Sequence, residues 1–127
     1  MNSIQLPFLV EAVLILTAGV FGVLLRRKGK PYGKVKLVVH LFFYVWLTVG
    51  YGFVMYSLTI TPVPSVIWFP ALLMGAAVVA QVATGIAMLA SKVVGRALLR
   101  THLTSAVVMV LSSVGGLIAA GLPAMPA

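Results

Sequence analysis

The sequence predicts an all-α integral membrane protein, a single up-down-up-down bundle of four helices with both termini outside. Three observations carry that reading. The chain is 62% hydrophobic, with a mean hydropathy of +1.19, more apolar content than a soluble domain of 127 residues needs. It divides into four apolar runs, each long enough to cross a hydrocarbon core. All nine basic residues fall in two short segments, 26–36 and 92–100. A formal charge of +8 could suggest nucleic acid, but this clustering is the positive-inside pattern instead, so no nucleic-acid partner is expected. The expected partner is the lipid bilayer, and the expected location is a prokaryotic inner (plasma) membrane with the basic loops cytoplasmic.

The first span is residues 6–25. No base precedes it and no small-residue cleavage site follows, so it reads as a retained span rather than a signal peptide. Residues 26–36 form a basic loop in which Gly29, Pro31 and Gly33 break any helix. The second span, 37–60, is rich in aromatic residues, and an uncharged turn with Pro62 and Pro64 follows it. The third span is 66–90, with Trp68 as an interfacial anchor. Residues 91–101 form the second basic segment, readable as loop or as continued helix with its bases in water. The fourth span, 102–122, leaves 123–127 as a short outer tail. The whole chain, 1–127, is one transmembrane domain. It has no cysteine, which excludes disulfides, thiolate metal sites, iron–sulfur clusters and thioether-linked haem.

One pattern occurs twice: Gly, a base, two residues, Leu, two residues, His, Leu. It covers residues 33–41 and 95–103 and contains both histidines of the chain, His40 and His102. Gly19 precedes Arg26, and Gly85 precedes Lys92, by the same seven residues. Helices one and two thus look like a first copy of helices three and four, related by an axis along the membrane normal.

The two imidazoles sit at nearly equal depth, just inside the basic boundary, one in each half. A low-spin b haem needs two such ligands facing one porphyrin. One histidine per half provides for one haem b and leaves no ligand for a second. Arg26, Arg96, Arg100 and Lys36 lie at the end where anionic propionates would point, and arginine can grip a carboxylate bidentately. Gly19, Gly22 and Gly85 fall near the depth of the histidines and would let a porphyrin edge approach the backbone. Phe42, Phe43, Tyr44 and Trp46 could wall the pocket. A histidine near an interface can also simply reach toward headgroups. The small residues at four-residue spacing (Ser112, Gly116, Ala120 and Ala76, Ala80, Thr84) read as helix contacts.

Glu11 is the one acidic residue. A carboxylate at its depth is costly unless neutral or paired, and no base lies on that side. Two readings stay open: it accepts a proton, for instance from a quinol, or it lies near enough to the surface to reach water. Gln81 is a candidate partner across the bundle, and Tyr51 a candidate quinone contact that could equally be packing.

On these residues the chain resembles the small four-helix membrane b-type cytochromes. The resemblance rests on His40, His102, the bases before each and the number of spans. It implies electron transfer through one bis-histidine haem near the cytoplasmic side, with a quinone or a partner redox subunit, and no catalytic side chain. Such a protein would be an electron-transfer protein or a subunit of a membrane oxidoreductase, working in a homo-oligomer or a larger complex. The chain departs from larger cytochromes b, in which paired histidines on one helix hold two haems. Rival readings are a small multidrug-type, proton-coupled transporter using Glu11, and a haem-free or pigment-binding accessory subunit. One-sided bases argue against the transporter, which also gives the histidines no role.

Overall fold

The structure, a computed structural model, describes residues 2–122; the tail assigned to 123–127 lies outside the described residues. It contains four long helices and one turn of 3-10 helix: α1 Gln5–Lys28, α2 Lys34–Ile60, the short turn Ser65–Ile67, α3 Trp68–Ala90 and α4 Arg96–Gly121. At about 1.5 Å per residue each long helix spans roughly 35–40 Å, beyond the ~30 Å of a hydrocarbon core. All four are long and apolar enough to cross a membrane. Their outer faces carry exposed Leu16, Val45, Phe53, Phe69, Ile86 and Leu111, as lipid-facing surfaces do.

The helices run further into the basic segments than hydropathy suggests. α1 continues through Lys28, and α2 resumes at Lys34. The first loop is therefore only 29–33. Gly29 turns the chain with φ 65°, a left-handed conformation that suits glycine, while its N–H closes α1 on Leu25 and Arg26 O at 3.1 and 3.2 Å. The second basic segment is not continuous helix. The chain leaves α3 with extended backbone at Ser91 and starts α4 after an equally extended Gly95.

Gly33 and Gly95 play the same part. Each precedes a helix with extended backbone and accepts that helix's first bond, from Leu37 N at 3.0 Å and Leu99 N at 3.1 Å. Lys30 links the two loops, donating to Leu89 O at 3.4 Å and to Ser91 O, where its charge complements the carbonyl end of α3. Both basic loops thus share one end of the bundle. At the other end, Asn2 Oδ1 accepts from the N–H groups of Ile4 and Gln5, and its Nδ2 donates to Ala120 O at 2.7 Å.

The helices form a ring in chain order. α1–α2, α3–α4 and α1–α4 pack closely, α2–α3 lightly, and the diagonal pairs keep their backbones apart. The small stripe of α4 explains the tight α1–α4 seam: Ser112, Gly116 and Ala120 are buried, and Phe8 lies against Gly116. The matching stripe on α3 is only partly a contact. Thr84 is buried, but Ala76 is exposed, and both Ala76 and Ala80 line an open groove beside α4. Phe8, Val54, Leu58, Ile67 and Met74 fill the uncharged end, and Trp68 packs against them. Ile15, Ala18, Leu47, Val78 and Met109 fill the middle.

Candidate functional site

The equal starts of α2 and α4 put His40 and His102 seven residues past Gly33 and Gly95, at the same register on their helices. Each ring turns toward the other helix of its own half. His40 Nδ1 lies 3.0 Å from Ala18 O on α1. A carbonyl can only accept, so Nδ1 carries the proton. His102 Nδ1 lies 2.8 Å from Thr84 Oγ1 on α3. When the Thr84 hydroxyl donates to Ala80 O at 2.6 Å, its lone pair is left to accept the Nδ1 proton of His102. Ala18 and Thr84 stand eight residues before Arg26 and Lys92, so the two anchors are equivalent positions of the two halves.

His40 therefore holds Nδ1–H in a hydrogen bond, and His102 does the same when Thr84 donates to Ala80 O; Nε2 is then the free lone pair on both rings. Among the described residues nothing bonds to either Nε2. Donation of the far ring N–H to a carbonyl or hydroxyl is how ligating histidines are oriented.

Tyr44, one turn after His40, touches both imidazoles. Its ring meets His40 edge-on at 5.0 Å and stacks on His102 at 6.3 Å, with 28° between planes. Its hydroxyl donates to Gln81 Oε1 on α3, and Gln81 Nε2 donates to His102 O at 2.5 Å. His102 O can only accept, which fixes the amide orientation. Gln81 is fully buried. One phenol and one amide thus join α2, α3 and α4 beside the two rings.

Glycine opens space where a ring approaches a helix. A Cβ on Gly22 would stand 3.2 Å from His40 Cε1, and one on Gly85 3.7 Å from His102 Cε1. Gly19 does not belong to the site: it is exposed, with open space at its Cβ position. The aromatic wall is also narrower than expected. Phe42 and Trp46 face outward, and Phe43 stacks on Phe21 at 6.0 Å, so of these four only Tyr44 meets the imidazoles. Arg26, Arg96 and Arg100 are exposed in the segments that flank the loops, and Lys36 is half-buried.

Glu11 does not reach the surface. It is 0% exposed, and neither carboxyl oxygen has a hydrogen-bond partner. Its Oε1 occupies the space that Gly50 of α2 leaves by lacking a side chain. Gln81, expected as its partner, is committed to Tyr44 and His102 instead. Tyr51 is half-buried, with its hydroxyl over Gly75 of α3.

Thr84 and Ala18 O, which hold the two imidazoles, are the groups that sequence reasoning missed. The repeat offset that pairs Gly19 with Gly85 would have found them one position earlier. Among the described residues no three of His, Cys, Asp or Glu gather as a metal site, so two imidazoles are the whole donor set. Two donors cannot enclose a bare ion, but they suit a metal already held in a plane of four ligands. Set against that fit are the Tyr44 ring, which lies against both imidazoles, and the fully buried Gln81 bonded to it; together they fill space that a flat macrocycle would need. No family model, no curated protein and no solved structure matches this chain.

Proposed function

We propose that this chain is a membrane-embedded b-type cytochrome that carries electrons through one haem gripped by His40 and His102. One observation carries the reading: two imidazoles at equivalent register, each hydrogen-bonded through Nδ1 to the partner helix of its half, with neither Nε2 bonded among the described residues. A haem, when bound, supplies a reversible one-electron change at its iron. The chain's own residues do the rest. Ala18 O and the Thr84 hydroxyl set ring orientation and tautomer. With His40 and His102 both as ligands, no coordination position would be left for oxygen. Arg26, Arg96, Arg100 and Lys36 offer cations to propionates at the basic end, and Gly22 and Gly85 give the rings room.

In this reading the basic end faces the cytoplasm of a prokaryotic cell, both termini lie outside, and the two halves descend from one helix pair. Electrons are exchanged with a quinone or a partner redox subunit, within a homo-oligomer or larger complex. The transporter reading has the burial of Glu11 in its favour but leaves the paired imidazoles without a task.

The test is a reduced-minus-oxidised absorption spectrum of the purified chain. A b-type α band is expected in the wild type and absent from His40→Ala and His102→Ala. If both single variants keep a normal reduced spectrum, the ligand assignment is wrong. The mass of the extracted pigment separates haem from other tetrapyrroles, and a colourless chain leaves the transporter or a haem-free accessory subunit.

A further inference from the structure

Glu11 is the group that the haem site leaves unexplained. It is completely enclosed, and both its oxygens lack partners. A carboxylate in that position has lost its water and gained nothing in return. The elements packed against α1 are α2 and α4. On α2 the only titratable group within a helical turn of Gly50 is Tyr51, and no hydrogen bond joins it to Glu11. On α4 the titratable groups are Arg96, Arg100 and His102, all toward the basic end. Among the described residues no cation stands at the level of Glu11 to hold it as an anion. Gly50 nevertheless gives the carboxyl a fitted space, so the side chain is accommodated rather than squeezed.

Position supplies the second half of the argument. Glu11 lies seven residues along α1 from Ala18, the anchor of His40, or about 10 Å in axial rise. In the dry interior of a bundle, unit charges that far apart still interact by more than thermal energy.

We infer that Glu11 is a proton-binding site coupled to the charge held between His40 and His102, an inference that rests on the haem reading. One electron from a quinol or partner subunit lowers the charge at the histidine site by one. One proton from water then joins the Glu11 carboxylate to give the acid. Oxidation returns the electron to an acceptor and the proton to water, so the net charge inside the bundle is the same in both states. The sign is fixed: the reduced site favours the acid and the oxidised site favours the carboxylate. The midpoint potential therefore falls as pH rises through the range in which Glu11 titrates.

The experiment measures midpoint potential against pH for the full chain loaded with haem, in the wild type, Glu11→Gln and Glu11→Asp. The wild type should slope, Glu11→Gln should be flat, and Glu11→Asp should restore a slope. Redox difference infrared spectra should show a carboxylic acid band in the wild type that Glu11→Gln lacks. Independently of any cofactor, dicyclohexylcarbodiimide, which reacts with carboxylic acids in apolar surroundings, should label Glu11 in the haem-free chain and not Glu11→Gln. Equal slopes in wild type and Glu11→Gln, or no labelling, overturn the inference while a normal α band leaves the haem reading standing. Absence of the α band overturns both.

Discussion

Replacing Thr84 by valine tests the second anchor of the histidine pair without touching a ligand. Valine keeps the branched shape and removes the hydroxyl that accepts the Nδ1 proton of His102 at 2.8 Å. His40 cannot be tested this way, because its acceptor is the backbone carbonyl of Ala18, which no substitution removes. Two estimates of the cost agree. Leaving a buried donor unsatisfied costs about 1–3 kcal/mol. Loss of the group that orients a ligating histidine weakens metal binding about 10–100-fold, or about 1.4–2.8 kcal/mol. Haem titrated into the purified chain should thus bind Thr84→Val about 10–100-fold more weakly than wild type. Thr84→Ser, which keeps the hydroxyl, should restore most of the affinity. Thermal unfolding of the haem-free variants controls for general damage. Binding by Thr84→Val within about twofold of wild type, where 10–100-fold is expected, would mean that the hydroxyl does not orient a ligand.

Gly116→Val should loosen the α1–α4 seam, because any Cβ there runs into the Phe8 ring; the expected loss is about 1–3 kcal/mol, read as a lower unfolding temperature in detergent. Gly19→Ala, facing open space, is the control that should leave that temperature unchanged or higher. Gly22→Ala should push the His40 ring by a few tenths of an ångström and weaken haem binding by less than the Thr84 loss, since its Cβ would stand 3.2 Å from Cε1. Gly85→Ala, at 3.7 Å, should bind haem as wild type does.

The helix count and the register of the histidines were legible because they depend on local pattern alone. Four apolar runs give four helices, and a repeated Gly-to-His spacing gives two rings at one level. The helix ends were misplaced for a physical reason. Hydropathy stops at the first charge, whereas Arg26, Arg27 and Lys28 are good helix formers whose stems extend along apolar surface, so α1 continues through them. The burial of Glu11 was hidden by the uniformity of α1. An all-apolar run shows no preferred face, and only packing reveals that Phe8, Glu11, Ala12, Ile15 and Ala18 form the inward stripe. Tyr44 sits one turn from His40 and so shares its face, a signal present in the sequence that four successive aromatic candidates obscured. Thr84 was assigned to helix packing, because the spacing of small residues cannot distinguish a contact from a hydrogen-bond acceptor.

The ring of helices is unequal in a way that bears on how the site is held. α1–α4 is closed by small residues against Phe8, whereas the α2 and α3 backbones approach each other at few points. Lipid tails are as apolar as the side chains they would replace, so a lightly packed seam gains little from hydrophobicity inside a membrane. What ties α2 to α3 at the level of the imidazoles is the hydrogen bond from Tyr44 to Gln81, continued from Gln81 to His102 O. The polar groups beside the imidazoles therefore also help to hold the most lightly packed wall of the bundle. The phenol that must yield to a flat macrocycle stands at this seam, where the least packing opposes its movement. If it turned, Gln81 would lose its Oε1 donor while keeping its bond to His102 O, so the backbone of the second ligand helix would stay anchored to α3 as the first ring adjusted.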